Sequence, residues 1–434
     1  MIDKVDAVAT VDVPAEYRLE EEALEEIESL SKVKSEQIGV RSHHRVVIIQ
    51  PWIRLGGAEL LSINLAYELG RMGHDAVIVC SFLELDGLPG WARGLKYYLP
   101  PLWLSDCMRK SRVLFLILSP WLLLTLVWRH SRDSNILNPH NFPATWVAAV
   151  VGALRRIPVV WSCNEPPSRL PTREALRVGI PDFLGWMVAS SWLDRLFVRR
   201  ISAICVPSAM TRLQTQERYG RDAQVIHVGV DADFFCSRNG NDPRLAFGLE
   251  GKHILLCVGK LHPQKNQIVC LEALREVSPQ IPEVVLILAG GGPLAGELMS
   301  ISRQWGIERQ VLFLGQVDTL TVRELYHACD VNLVPAINQS WGFTAFEALC
   351  SGKVSIVSRS AGGAAEILGE NRIGLVCEPT GHAFAEAILC LHQNRTMYNQ
   401  LSKSGQEYAL RFLTWQVYAR RTVEIFNAEF RKRL

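Results

Sequence analysis

Short runs of wholly apolar residues, each closed by a glycine turn and followed by a helix-spaced stretch, recur along the chain and constrain its fold more than any other feature. The first is Val46-Val47-Ile48-Ile49-Gln50, followed by a loop with Gly56-Gly57, an amphipathic stretch from Ala58 to Leu69 closed by Gly70 and Gly73, and a second run, Ala76-Val77-Ile78-Val79-Cys80. A strand apolar on both faces is a strand covered on both faces, so strand, helix, strand in this order opens a doubly wound parallel α/β sheet. Further strands are expected at 135–138, 157–161 and 202–207, and the first series ends at Gly229-Val230-Asp231. After a polar, turn-rich linker the pattern restarts, with strands expected at 253–258, 284–289, 311–314, 331–334 and 354–358. At 434 residues the chain exceeds what one core usually holds. The expected architecture is two facing Rossmann-like domains with a cleft between them: a tail over 1–44, a first domain over 45–238, a linker over 239–251, a second domain over 252–395, and terminal helices over 396–434 packing back toward the first domain.

Charge narrows the class of partner. Residues 1–44 carry eleven acids and five bases, a net of −6, which leaves about +8 on the rest of a chain whose formal charge is +2. A mildly basic folded part suits diphosphates or anionic headgroups; there is no Lys/Arg-dense stripe of the kind that reads nucleic acid. Eleven cysteines occur singly, without a C-x-x-C pair, several within apolar strands. They read as small buried hydrophobes in a reducing compartment, and the acidic start lacks the apolar core of a secretory signal, so a cytoplasmic location is expected, peripheral at the cytosolic face of a membrane if the next segment docks there. Residues 113–128 form the most apolar segment, flanked by Arg109, Lys110, Arg112 and Arg129 and containing Pro120. It reads either as a kinked core helix or as a helix lying in a membrane interface, short of the ~20 residues a bilayer span needs. Nine of the twelve tryptophans precede residue 200 and favour membrane contact through 102–129.

Two stretches carry chemistry. Gly259-Lys260-Leu261-His262-Pro263-Gln264-Lys265 places two lysines at the carboxyl end of a buried strand, where open α/β sheets bind ligands and where cations stabilise a diphosphate leaving group. Gln339-Ser340-Trp341-Gly342-Phe343-Thr344-Ala345-Phe346-Glu347 lies between two apolar runs. Ser340 is expected to cap a helix from about Trp341 to Cys350 whose N-terminus holds a phosphate, with Gln339 toward a sugar and Glu347 toward ribose hydroxyls. Gly362-Gly363 with Glu366 adds a turn where backbone passes close to a ligand.

These elements, in this order, resemble the large retaining glycosyltransferase family with two facing Rossmann domains, the GT-B architecture of group 1 transferases. The resemblance also takes in Gly56-Gly57-Ala58-Glu59, Gly73-His74, Ser208, Gly229-Val230-Asp231 with Phe234, Gly290 to Pro293 with Glu297, and Thr414-Trp415. It implies that Lys260 and Lys265 bind the donor diphosphate and that Glu347 binds the ribose. Gly56, Gly57, Gly259, Gly342, Phe343, Thr344 and Glu366 would surround the donor. No metal or other cofactor is implied: the donor is a nucleoside-diphosphate sugar, and its own phosphate takes the acceptor proton. The chain departs from the pattern twice. Gln339 replaces a glutamate beside the sugar, and Asn164 replaces a histidine, with Asn164 and Glu165 as stand-ins on the acceptor or sugar side. The Cys163-Asn164-Glu165-Pro166-Pro167 stretch is similar to lipid-linked mannosyltransferases, so the resemblance implies a hexose donor, GDP-mannose first, and a glycan or lipid-linked acceptor at a membrane surface. A sugar-nucleotide-binding scaffold without activity and a sugar-nucleotide epimerase are the competing readings. Asp231-Ala232-Asp233 matches a D-x-D metal pattern but reads as a turn and helix start, and His43-His44 and His140 lack spaced partners for a metal.

Overall fold

The computed structural model describes residues 43–54, 57–84, 86, 88–166, 192–238 and 243–433. The acidic stretch over 1–42, Gly56, and Pro167 of the Cys163 to Pro167 stretch lie outside them.

In the first half, four parallel strands stand in the order Tyr97–Tyr98, Asp75–Val79, Arg45–Ile49, Ile136–Pro139. A bridge from Leu137 to Val159 continues the layer into Val160–Ser162, Ala203–Val206 and Gln224–Val225. The first strand in sequence sits inside the sheet, and the chain leaves it toward one edge and then returns to its other side. That reversal opens a crevice beyond the carboxyl ends of Arg45–Ile49 and Ile136–Pro139.

The second half repeats the design with six parallel strands: Val311–Gly315, Val284–Ala289, His253–Val258, Val331–Val334, Val354–Ser358, Leu375–Cys377. Its reversal falls between His253–Val258 and Val331–Val334. Leu286, Leu288, Ile356 and their neighbours bury one face of this sheet against the helices Ile268–Val277 and Gly381–Gln393, while Ile254, Leu256 and Ile287 face a second cluster. The last strand, Leu375–Cys377, is three half-buried residues, too short and too exposed for an apolar run to announce it.

The terminal helices divide between the halves. Arg395–Phe412 stays on the second half, against Phe343–Cys350 and Gly381–Gln393, while Trp415–Arg431 crosses to the first and packs on Gly57–Arg71 and Val160–Ser162. Only the latter returns toward the first domain. The crossing is tight: Val230 pairs with Thr414, its N–H reaching Leu413 O at 2.8 Å, and a Cβ on Gly229 would fall 2.5 Å from Trp415 N.

The apolar segment forms the helix Arg112–His130, capped by Ser111, with Pro120 inside it. Leu123 and Val127 pack into the sheet with Val47, Ile49 and Leu137. Its opposite side is uncovered.

Candidate active site

The crevices of the two sheets meet. On the second half, the strand His253–Val258 ends at Gly259, whose φ of +143° takes the chain into a turn that a side chain would strain. The neighbouring strand ends at Gly290, and a Cβ there would lie 2.0 Å from Gly259 O. Glycine at both ends lets Leu261 N–H reach Gly291 O at 3.0 Å, so the turn is zipped to its neighbour. His262 Nδ1 then accepts from Gln264 N–H at 3.3 Å, the short turn Pro263–Lys265 forms, and Asn266 reverses the chain at φ +53°. Lys265 folds back so that its stem passes about 3.9 Å from the place a Cβ on Gly259 would take. Lys260 points outward and is exposed, so the two lysines take different positions.

Lys265 draws the other elements together. Gln264 holds the loop after Val331–Val334 through its Nε2, which donates to Asn338 O at 2.9 Å, and through its carbonyl, which accepts from Ile337 N–H at 2.9 Å. The Gln339 amide, turned so that both ends find partners, accepts from Lys265 Nζ at 3.1 Å and from Gly342 N–H at 3.3 Å. A glutamate here would form an ion pair with Lys265; the amide keeps the hydrogen bond and leaves the charge of the lysine uncancelled. Burial pushes the Lys265 ammonium down, an effect offset by Cys257, Glu165 and Glu347.

The helix begins at Phe343, not at Trp341, and Ser340 does not cap it. Its cap is Gly342 at φ +99°, with no side-chain bond. The physical reason is the turn at Gly362-Gly363. A Cβ on Gly362 would lie 1.9 Å from Gln339 O, and one on Gly363 would lie 2.3 Å from the Trp341 ring. Bare backbone there lets Gly363 N–H take Ser340 O at 3.2 Å and Ala364 N–H take Trp341 O at 2.8 Å, which holds Ser340 and Trp341 outside the helix. The open N-terminus of Phe343–Cys350 therefore stands beside Gln339, with Phe343 and Thr344 in its first turn.

Glu347 lies one turn in. Burial raises its carboxyl to about 7, against the lowering effects of a hydrogen bond from Tyr326 and the charge of Lys265. Tyr326, on the helix Thr319–Ala328, is fully buried, and its OH donates to Glu347 Oε2 at 2.9 Å. Sequence reasoning missed Tyr326, though a tyrosine on a buried helix face always raises the question of what its hydroxyl meets.

The first half supplies the facing wall. Gly57 opens the helix Gly57–Arg71, and a Cβ there would come within 3.1 Å of the Phe343 ring, so two helix N-termini approach each other across the cleft. Asn164 and Glu165 follow the strand Val160–Ser162. Burial pushes the Glu165 carboxyl up and the charge of Lys265 draws it back, while Asn164 Nδ2 is enclosed without a hydrogen-bond partner among the described residues. An enclosed amide N–H with no acceptor is suited to a hydroxyl that the protein does not itself supply.

Glu366 makes its side-chain contacts with the first half. Its Oε2 accepts from Ala209 N–H at 2.8 Å, at the N-terminus of the helix Ala209–Tyr219 that Ser208 caps, and Oε1 lies 3.6 Å from His227 Nε2. It joins the halves, and His227 extends the contact by stacking on Trp341 at 5.6 Å. Of the other sequence candidates, Asp231 caps Ala232–Cys236 by accepting from Phe234 N–H. His140 is buried, its Nε2 shares a 3.0 Å hydrogen bond with Asn138 Oδ1, and desolvation lowers its pKa to about 3. Among the described residues no group of three or more His, Cys, Asp or Glu side chains is placed to hold a metal ion.

Residues 55–234 match the family model described as Glycosyltransferase Family 4, and residues 245–408 match that of Glycosyl transferases group 1. A GDP-mannose-dependent alpha-(1-6)-phosphatidylinositol monomannoside mannosyltransferase of Mycolicibacterium smegmatis is 23% identical over 68% of this chain and 79% of its own length. D-inositol 3-phosphate glycosyltransferase 2 of Catenulispora acidiphila is 28% identical over 48% of this chain, an alignment that spans 52% of that protein. Among solved structures, Anabaena HepE in complex with UDP and glucose superimposes with a TM-score of 0.70 at 19% identity, covering 89% of this chain and all of that one.

Proposed function

Because the chain belongs to the group 1 glycosyltransferases, with the GT-B fold, we propose that it is a retaining hexosyltransferase that takes its sugar from a nucleoside diphosphate, GDP-mannose first, and gives it to a glycan or lipid-linked acceptor without a metal. The observation that carries this reading is the meeting of Lys265, Gln339, Glu347 and the Phe343 helix N-terminus in one cleft faced by Gly57, Asn164 and Glu165. The helix N-terminus and Lys265 together suit a diphosphate whose negative charge grows as it departs. Glu347, half-buried and already bonded on one oxygen, offers its other oxygen to ribose hydroxyls. Lys260 would join the diphosphate from the rim.

In the reaction, the bond from the sugar C1 to the β-phosphate oxygen breaks, and the acceptor oxygen bonds C1 on the same face. The acceptor proton passes to the departing phosphate, so no side chain is needed as base. Gln339 and Asn164 meet the sugar hydroxyls as neutral amides, and their specificity therefore rests on hydrogen-bond geometry. The mannosyl choice is supported by the Mycolicibacterium relative, whose name specifies GDP-mannose.

The test is a thermal-shift screen of the full chain against GDP, UDP, ADP and their sugars, followed by NMR of the product's anomeric carbon. A nucleotide that binds only the folded chain raises its midpoint by mass action. GDP and GDP-mannose should give the largest shifts, and the product should keep the donor's anomeric configuration. No shift with any nucleotide sinks the reading, and conversion of donor to an epimer without acceptor replaces it with an epimerase.

A further inference from the structure

On the helix Arg112–His130 the exposed large apolar residues are Val113, Leu114, Ile117, Trp121 and Trp128. At the helical repeat these fall within an arc of roughly 100°. The buried Ser119, Leu123 and Val127 fall in a separate arc of roughly 80°. A globular surface helix is polar where it faces out; this one is apolar where it packs and apolar again where it does not, with Trp121 69% exposed.

The surface continues beyond this helix. Leu102–Lys110, Arg112–His130, Ala144–Arg155 and Trp192–Val198 pack in succession. Leu102 and Trp103 are exposed on the first, Leu154 on the third, and Trp192 and Leu196 on the fourth. The Arg155 guanidinium lies 4.2 Å from the Trp128 ring centroid and ties two of these helices together at the surface. Scattered exposed leucines need no explanation, but large apolar side chains, tryptophans among them, exposed on the three helices Leu102–Lys110, Arg112–His130 and Trp192–Val198 of a packed series mark an interaction surface.

Its charge identifies the partner. Lys110, Arg129, Arg156, Arg195, Arg199 and Arg200 are exposed on or directly after these helices. The one exposed acid on the four helices is Asp106, which Arg109 already pairs at 3.4 Å. Cations and tryptophans around an apolar stripe complement an anionic lipid surface, where headgroups take the cations and acyl chains the stripe. A span across the bilayer is incompatible with the fold. The helix of 19 residues is long enough by composition, but Leu123 and Val127 are locked into the sheet with Val47 and Ile49.

We propose that the face built by these four helices docks on an anionic membrane, with the helix Arg112–His130 lying in the plane of the interface. The proposal stands on this face alone and not on the donor site. The face also adjoins the cleft: Phe115 packs edge-on against Trp52 at 5.4 Å and Phe82 at 5.8 Å, and Trp52 Nε1 donates to the Glu59 carboxylate in the first turn of Gly57–Arg71. An acceptor anchored in the membrane would meet the protein at the margin of the crevice.

The test is co-sedimentation of the full chain with vesicles of phosphatidylcholine alone or mixed with phosphatidylglycerol, beside sedimentation equilibrium without lipid. The chain should pellet with the mixed vesicles and be released by salt. Val113→Gln/Ile117→Gln/Trp121→Gln should abolish binding with an unchanged melting midpoint, since all three side chains are exposed and the Trp128–Arg155 contact is left intact. Lys110→Glu/Arg129→Glu/Arg195→Glu should weaken binding to the mixed vesicles by roughly tenfold or more. Failure of the wild-type chain to bind, or binding that both variants retain, overturns the proposal. So does a dimer that the glutamine variant dissociates while vesicle binding is absent, which would assign the face to a second copy of the chain. The nucleotide thermal shift reads the donor site separately, so either reading can fail without the other.

Discussion

The hydroxyl of Tyr326 donates to Glu347 Oε2 at 2.9 Å from the helix Thr319–Ala328. The bond favours the ionised form of a carboxyl that burial, even against this bond and the charge of Lys265, still raises to about 7. Two consequences follow for pH. Donor binding by an ionised Glu347 should weaken as pH falls through about 7, appearing as a rise in donor KM on the acid side. Tyr326→Phe should move that limb to higher pH, because the stabilising donor is gone, and should cost about 1 kcal/mol of stability. A packing role alone would lower the melting midpoint and leave the pH profile in place.

Because folding raises the Glu347 pKa above its usual 4.5, the group adds stability that is complete below about 4.5 and is lost as pH rises through about 7. Glu347→Gln removes the ionisation with its shape retained. The variant should lose less stability than wild type between pH 5 and 8, measured by urea denaturation, while its donor KM becomes flat across the same range.

Lys265→Ala removes the cation that the cleft is folded around. If the ammonium stabilises the departing diphosphate, kcat/KM should fall by about 10²–10³. Lys260→Ala, exposed and unpacked, should fall less. Equal losses would contradict the separation of the two lysines.

Glu366 distinguishes two roles. As a donor ligand, its loss should weaken nucleotide binding directly. As the acceptor of Ala209 N–H across the halves, Glu366→Ala should leave the GDP Kd within about twofold by calorimetry and lower kcat by roughly tenfold, because the closed geometry is less populated.

Gly363→Ala tests the turn that sets the helix start. Its Cβ would meet the Trp341 ring at 2.3 Å, and the displacement should cost about 1–3 kcal/mol, read from the denaturation midpoint.

The strands were legible because burial on both faces leaves a run of apolar residues with little ambiguity. The glycine turns at Gly259 and Gly362-Gly363 were legible as places of close approach, although what approaches them was not. Gly362 faces its own chain at Gln339 O, so the turn shapes the protein before any ligand arrives. Contacts between distant residues left no local trace: Ala209 and Glu366 are 157 positions apart, and nothing near either announces the other. The start of the helix at Phe343 eluded a capping argument because tertiary packing at Gly363 and Ala364 takes the carbonyls of Ser340 and Trp341. The apolar segment over 113–128 was ambiguous for a different reason. Hydropathy is the same on both its sides, and only the fold decides which side is covered.

The crossing at Thr414 bears on how the chain is made. The helix Trp415–Arg431 covers Gly57–Arg71 of the first half, yet it follows the whole second half in sequence. During synthesis the first half therefore emerges with an apolar surface that its own nearby residues cannot cover, and it waits for some 180 further residues before that surface closes. Ribosome-bound intermediates lacking residues 415–431 should be the protease-sensitive ones, and a chaperone that shields this surface would act on the early half for the sake of a late helix.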